Sequence, residues 1–262
     1  MRADRSLTLA CAAALALVAA DPARGGVRLL APGEEMAPLD AFRFSRPGAP
    51  GAGMAPQLAA VRVAAADGDA AALARVISRA APIEIVAPSQ DPDLVVDIPA
   101  GIVRARADVI ARGVSVDEIA GVVDRFALGE ALPRAFAQRA LPVRVASARH
   151  GSEPAQIEVS GVAGRALVMF SVSSDGVVRE LYPLGGEARI IAEPVFRETF
   201  SASPPYGADL IVAVAASSPM PALEDGVREL AGQRGAGQIL QLLALAAPPD
   251  ARIGAAVVPL AP

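Results

Sequence analysis

Side chains able to make or break bonds are scarce in this sequence. Its 262 residues hold one cysteine, Cys11, and one histidine, His150. All 24 basic residues are arginine, because lysine does not occur. Without an amine side chain there can be no Schiff base, no Walker-type phosphate loop and no Ser-Lys pair. A Ser-His-Asp triad would have to use His150, and no Gly-x-Ser-x-Gly turn exists to present the serine. His150 stands among polar residues between two strand-like segments, the setting of a solvated loop histidine. Zinc prefers Cys and His donors, which are too few here. Asp67-Gly-Asp69 and Asp91-Pro-Asp93 resemble pieces of calcium loops but lack the regular ligand spacing and the closing glutamate. Helix capping and turn formation account for both pairs.

Paired carboxylates are the chemistry that is left. Two acids about 5 to 10 Å apart suffice for acid-base hydrolysis, and Glu180, Glu187 and Glu193 lie close along the chain. Sugar sites of this kind usually add aromatic platforms, and this chain is 3% aromatic with no tryptophan. A solvated strand face is the better reading of the three glutamates. The sequence therefore assigns no catalytic, cofactor-binding or metal-ligating residue, and the chain is expected not to be an enzyme.

The N-terminus sets the expected compartment. Arg2 and Arg5 precede an apolar run from Leu7 to Ala20, with small residues at Val18 and Ala20 before Asp21. This is the pattern of a secretory signal peptide over residues 1–20. The run falls short of the roughly 20 apolar residues of a bilayer span, so no membrane anchor is expected to be retained. Cys11 comes too early in the run for lipoprotein processing. Cleavage near Ala20 would give a periplasmic or secreted protein without cysteine, and hence without a disulfide. It would also remove two arginines and one aspartate, making a net charge of −4 one unit more negative. An acidic chain with scattered arginines offers no track for phosphates and no polybasic membrane surface, so nucleic acid is not an expected partner.

At 53% apolar the chain can bury a substantial core. Residues 21–56, rich in proline and glycine, read as a linker or disordered lead-in. Residues 57–140 read as a small α/β subdomain. Asp67 and Asp69 precede Leu73, Val76, Ile77 and Ala80 at helical spacing. Residues 83–87 and 93–98 read as strands and 101–111 as an extended segment or hairpin. Ser115 to Glu118 forms a capping box ahead of Ile119, Val122, Val123 and Phe126 on one helix face. A second short helix is expected to start at Pro133 and to use Leu132 and Phe136. Residues 141–262 read as a β-rich, antiparallel, sandwich-like domain with C-terminal helices over 223–230 and 238–247 and a final strand. The fold class is thus α+β.

The stretch Val168 to Leu184, VMFSVSSDGVVRELYPL, carries the strongest local signal. Gly176 supplies the positive φ that a tight hairpin turn needs. Leu167, Val168, Met169 and Phe170 are consecutive and apolar, as in a central strand buried on both faces. At about 1.5 to 3 kcal/mol for each buried side chain, that run could rival the net stability of a domain. The alternation then fails at Val177-Val178 and Arg179-Glu180, leaving the faces there unassigned. Phe196 and Phe200 share one strand face and are expected in the core. Pro204-Pro205-Tyr206-Gly207 reads as a turn that redirects the chain into the next strand.

Leu167 to Pro183, taken with Ser203 to Pro219, resembles the bacterial domain of unknown function found C-terminal to caspase-like peptidase domains. In that family an aliphatic-aromatic strand enters an Asp-Gly turn, a second strand ends in an aromatic-Pro pair, and a Pro-aromatic-Gly turn opens the next strand. All three features occur here, over about a quarter of the chain. The family carries no established catalytic residues, so none are transferred. The His-Gly pair at His150 is similar to the peptidase's histidine motif, yet Cys11 lacks the Gln-Ala-Cys context and lies in the segment expected to be removed. The resemblance implies an accessory binding or regulatory module with a protein partner, an envelope protein or a caspase-like one. A carboxylate-dependent envelope hydrolase and a remnant of a longer caspase-like peptidase are the alternatives.

Overall fold

A computed structural model describes residues 56–77, 81–147, 154–185, 190–200 and 207–260. The expected signal peptide, nearly all of the lead-in, Cys11, His150 and Glu187 lie outside the described residues. The fold is mixed α+β: the described residues form thirteen strands and four α-helices, with ten strands in one large sheet and three in a small antiparallel one.

The first strand, β1 (Val61–Ala65), buries Val61 and Val63 and leaves Arg62 at the margin. Its Ala-rich flanks carry no strand preference, and the sequence reading did not single it out. It pairs in parallel with both β2 (Ile83–Ile85) and β3 (Leu94–Asp97). Parallel neighbours need a crossover, and α1 (Ala70–Ile77) provides the one between β1 and β2, with Leu73 and Ile77 buried. The two aspartates start this helix as expected: Asp69 Oδ1 accepts the N–H of Ala72 at 2.9 Å, and Asp67 Oδ1 accepts that of Asp69 at 2.9 Å. β4 (Ile102–Ala105) and β5 (Asp108–Arg112) then form an antiparallel hairpin beside β3.

The central helix, α2 (Ile119–Ala135), follows a 3-10 turn. Ser115 donates its N–H to Glu118 Oε2 at 2.7 Å, the reciprocal contact expected of the capping box. Ile119, Val122, Val123, Ala127, Leu128, Ala131 and Leu132 are buried on several sides of the helix, because elements pack all round it. The expectation of a second helix starting at Pro133 is corrected. Pro133 lies inside the last turn of α2, and the helix stops at Ala135. A proline lacks the N–H that would continue the ladder and here marks an end.

The remaining strands are β6 (Val143–Ser147), β7 (Ala155–Ser160), β8 (Arg165–Val172), β9 (Val178–Tyr182), β10 (Ile190–Ile191), β11 (Val195–Phe200), β12 (Gly207–Ala216) and β13 (Arg252–Leu260). Between β12 and β13 stand α3 (Pro221–Leu230) and α4 (Ala236–Ala246). β8 and β12 pair over seven residues, and β13 lines the other edge of β12. Leu167, Val168, Met169 and Phe170 are all buried, as a central strand requires. Leu167, Met169, Ile211 and Ala213 form a core with Ile157 and Val159 of the small sheet β11-β7-β6, giving this half its sandwich-like character. Alternate residues of the same strands point the other way, where Leu210 meets α2 at Gly129. Phe196 and Phe200 are half-buried and pack against the sandwich core, Phe196 with its ring 4.7 Å from that of Tyr182. Val178, Arg179 and Glu180 pair in regular register, with Val177 outside β9, and the pairing then skips Leu181: Met169 opposes Tyr182 while Phe170 opposes Glu180. One extra residue in one strand reverses the alternation.

Residues on both sides of position 140 meet in the large sheet. The joint is Gly207, which pairs with Ala111 of β5 on one edge and Leu260 of β13 on the other. A Cβ at Gly207 would stand 2.4 Å from the carbonyl oxygen of Ile110 and 2.7 Å from Cβ of Ser174. Gly121 is under the same constraint: its Cβ would lie 2.0 Å from the carbonyl oxygen of Asp175, whereas one at Gly129 would meet only Leu210 methyls at 3.8 and 3.9 Å. Gly→Ala in a helix interior is normally stabilising by about 1 kcal/mol. Gly129→Ala is therefore expected to raise stability by up to that amount, while Gly121→Ala, earlier in the same helix, lowers it by about 3 kcal/mol through the backbone shift it forces. Urea denaturation of the two variants checks the opposite signs.

Candidate functional site

The chemistry-bearing groups gather around the first half of α2. On its inner side, Arg125 is 3% exposed and Asp209 of β12 is 9% exposed. Between α2 and β12 sits the β8–β9 turn. Ser173 accepts the N–H of Gly176 on its carbonyl at 2.9 Å, and Gly176 has φ +87°. Ser173 Oγ donates to Asp175 Oδ1, and Ser174 donates its N–H to Asp209 Oδ1 at 2.9 Å. Ser173, Ser174 and Asp175 are all buried. The Asp-Gly turn of the resemblance is thus an interior fixture, locked to α2 and β12 by backbone contact and a carboxylate.

Burial dominates the electrostatics of this cluster. It pushes the Asp209 carboxyl up to about 6, against the N–H of Ser174 and the charges of Arg179 and Arg125, which favour the ionised form. It also brings the Arg125 guanidinium down to about 10, with Asp209 opposing. Nε and one terminal nitrogen of Arg125 have no hydrogen-bond partner among the described residues. At the rim, Arg234 of the α3–α4 connection lies 3.1 Å from Glu118 and 3.9 Å from Asp175. The N–H of Ser115, then Arg234, holds the Glu118 carboxyl below the usual carboxylate range. The same connection closes the outer edge of β9: Val178 donates to Gln233 and accepts from Gly232, each at 2.9 Å.

On the outer side of α2, Asp124 lines an open cleft of about 630 Å3. Leu58, Pro82 and Leu240 make its apolar wall, and Arg234, Gln238 and Gln241 its polar one. Asp124 accepts the N–H of Ala81 and is otherwise desolvated, which pushes its carboxyl up to about 6. The first turn of α4 approaches it, since a Cβ on Gly237 would stand 3.7 Å from Oδ2. A second cleft, of about 460 Å3, is lined by Asp91, Asp93, Arg106, Asp108, Glu130 and Arg134. Several of its charges are engaged: Glu130 pairs with Arg134 at 2.9 Å, and Asp93 accepts the N–H of Arg62 at 2.8 Å.

No known protein family, curated protein or solved structure matches this chain. The site therefore rests on its own geometry.

That geometry does not gather the glutamates weighed from the sequence. Glu180 faces Arg228 of α3 at 3.4 Å, Glu193 is exposed in the link between β10 and β11, and Glu187 is outside the described residues. Asp124, Arg125, Asp209 and Arg234 were not singled out. Their signal was present, since Asp124-Arg125 interrupts the apolar run Val122 to Leu128, and Asp209 stands alone in the otherwise apolar strand Ala208 to Ala216. A charge at a position the periodicity assigns to the interior marks a partner or a site. Among the described residues no group of three or more metal-ligating side chains occurs, and no helix is long and apolar enough to cross a membrane.

Two predictions follow from the charges. Asp124 and Asp209 bind protons more tightly folded than unfolded, so the stability they contribute is full below about pH 4 and is lost as pH rises through about 6. Glu118, Glu158 and Asp250, all held low, act oppositely at more acidic pH. Asp124→Asn keeps an acceptor for Ala81 and removes the ionisation, so its Tm should exceed wild type at about pH 7.5 and converge with it near pH 4. Differential scanning fluorimetry across that range reads the convergence. In the interior, Arg125→Met alone should cost about 1 to 3 kcal/mol by removing one of the two guanidinium charges, Arg179 being the other, that favour ionised Asp209. Combined with Asp209→Asn, it should cost about 1 to 3 kcal/mol less than the two single losses together. Strict additivity in denaturant titrations would show that the two groups do not interact.

Proposed function

We propose that the chain is an exported, non-catalytic binding or regulatory module, comparable to the accessory region that accompanies caspase-like peptidases, and that it holds a segment of a protein partner in the cleft between α2 and α4. The observation that carries this reading is the pairing of a sealed turn with an open cleft. Ser173, Ser174 and Asp175, which the sequence places at a hairpin tip, are buried against Gly121 and Asp209. The accessible space beside them mixes an apolar wall with the side-chain amides of Gln238 and Gln241. Apolar contact supplies affinity for a peptide, and amides satisfy its backbone without demanding one sequence.

One observation favours a second reading, the carboxylate-dependent envelope hydrolase. Asp124 has a proton affinity near that of a working general acid and opens onto the cleft. A photo-crosslinking residue placed at Gln238 should capture a discrete envelope protein, and Leu240→Glu, with fold retained by circular dichroism, should abolish the capture. Loss of neither the crosslink nor its specificity in that variant would remove the cleft from the binding reading. Turnover of a peptide or glycan that Asp124→Asn eliminates would replace the binding reading with the hydrolytic one.

A further inference from the structure

The cleft contains an imbalance of charge that identifies what it takes. Its two ionisable residues are Asp124 and Arg234. Arg234 is already matched, with Glu118 at 3.1 Å and Asp175 at 3.9 Å. Asp124 is not matched. Among the described residues its one polar partner is the N–H of Ala81, a neutral donor. The neighbouring side chains do not change this balance: Gln238 and Gln241 of α4 are neutral, Pro56, Gln57 and Leu58 carry no charge, and Arg125 on the next position of α2 is buried in the interior. The first turn of α4 at Gly237 presents only the partial positive charge of a helix start. A half-buried carboxylate with no counter-ion among the described residues, at the wall of a space large enough for several side chains, is suited to a cation.

We propose that this cleft receives a cationic side chain, an arginine or lysine on the partner's segment, onto the carboxylate of Asp124. The assignment rests on the binding reading and adds to it the chemistry of the ligand. The cation would supply the charge that the described residues do not, while Leu58, Pro82 and Leu240 pack its methylenes. Because the free carboxyl is pushed up to about 6, a cation must displace a proton at acidic pH, and affinity should rise about tenfold from pH 5 to pH 7.5. Arg79, two residues before Ala81, is outside the described residues and is the one internal competitor that the local sequence offers.

The test uses the purified full chain and two capped peptides, identical except that one carries arginine and the other its neutral isostere citrulline in an alanine, leucine and proline background. By NMR, the arginine peptide is expected to shift the backbone amides of Ala81 and Gly237 and the side-chain amides of Gln238 and Gln241. It should lower the titration midpoint of Asp124 and bind about ten times more tightly at pH 7.5 than at pH 5. The citrulline peptide should lack the pH dependence, and Asp124→Asn should bind both peptides alike. Arg79→Gln should leave the preference for arginine in place or strengthen it. Equal binding of the two peptides at both pH values, with the cleft amides shifted, overturns the cation assignment while leaving the binding reading intact. Shifts confined to residues away from the cleft overturn both. Loss of the preference in Arg79→Gln, with Asp124 unaffected by peptide in wild type, overturns the assignment by making Asp124 indifferent to the ligand.

Discussion

The carbonyl oxygen of Asp175 fixes much of this molecule. It lies so close to α2 that any side chain at position 121 would begin 2.0 Å from it. The approach is mutual, since a Cβ on Gly176 would meet the carbonyl of Gly121 at 2.7 Å. With the turn pressed onto the helix in this way, Ser174 is left to face β12, where Gly207 gives it room and Asp209 accepts its N–H. The turn thus meets α2 backbone to backbone with no side chain between them, and meets β12 through Ser174 and the carboxylate of Asp209. Close packing of this kind cannot yield gradually, because interiors are dense and backbone atoms cannot repack as side chains do. The position of α2 relative to the β8–β12 sheet follows from it, and with that position come the burial of Arg125 and the exposure of Asp124 one residue earlier.

Consecutive residues on a helix point about 100° apart, so a single pair of charges can serve two environments. Arg125 enters the layer between α2 and β12, where the price of its desolvation is offset in part by Asp209. Asp124 turns toward α4 and the segment at Ala81. The two aspartates have the same ordinary pKa and are raised to the same region by the same cause. Their consequences differ because of access. Asp209 already has guanidinium groups nearby and a backbone donor, whereas Asp124, among the described residues, has only the donor and lines the cleft. The outer face of the small sheet shows the contrasting, saturated case. There Glu158 is held low by Arg197 and Arg144 together, each directly across from it on a neighbouring strand, so both of its oxygens already have a guanidinium partner.

What the sequence made legible was local. Capping by Asp69, the Ser115–Glu118 box, the Asp175-Gly176 turn and the doubly buried run Leu167 to Phe170 all depend on neighbours within a few residues, where propensity and spacing act. Three kinds of feature escaped. Pro133 was read as a start because proline is common at both the first turn and the stop of helices, and only the tertiary burial of Ala131 and Leu132 decides which. The bulge at Leu181, opposite Met169 and Phe170, left no trace in the local pattern, since a bulge is defined by the partner strand. β1 has alternating Val61 and Val63 in an alanine-rich setting that suits helix or strand equally, and its parallel pairing with two later strands is a long-range property. The candidate site was missed for the same reason. Asp124, Arg234 and Ala81 are brought together by three separate elements, so no window of sequence contains them.

The glycines tie these observations to one another. In an alanine-rich chain, a glycine inside a helix is the costlier residue by about 1 kcal/mol, and α2 accepts that cost at Gly121. The cost is recovered only if the backbone of the turn occupies the space, which requires Gly176 to reach φ +87° and Gly207 to admit Ser174. Each of the three positions is therefore unfavourable alone and consistent only with the other two. The aliphatic-aromatic strand, the Asp-Gly turn and the glycine that opens the next strand, which stand apart in the sequence, are parts of one contact in the fold. Their shared spacing reports how the sheet is fastened to α2, and the open cleft at Asp124 lies on the far side of that helix.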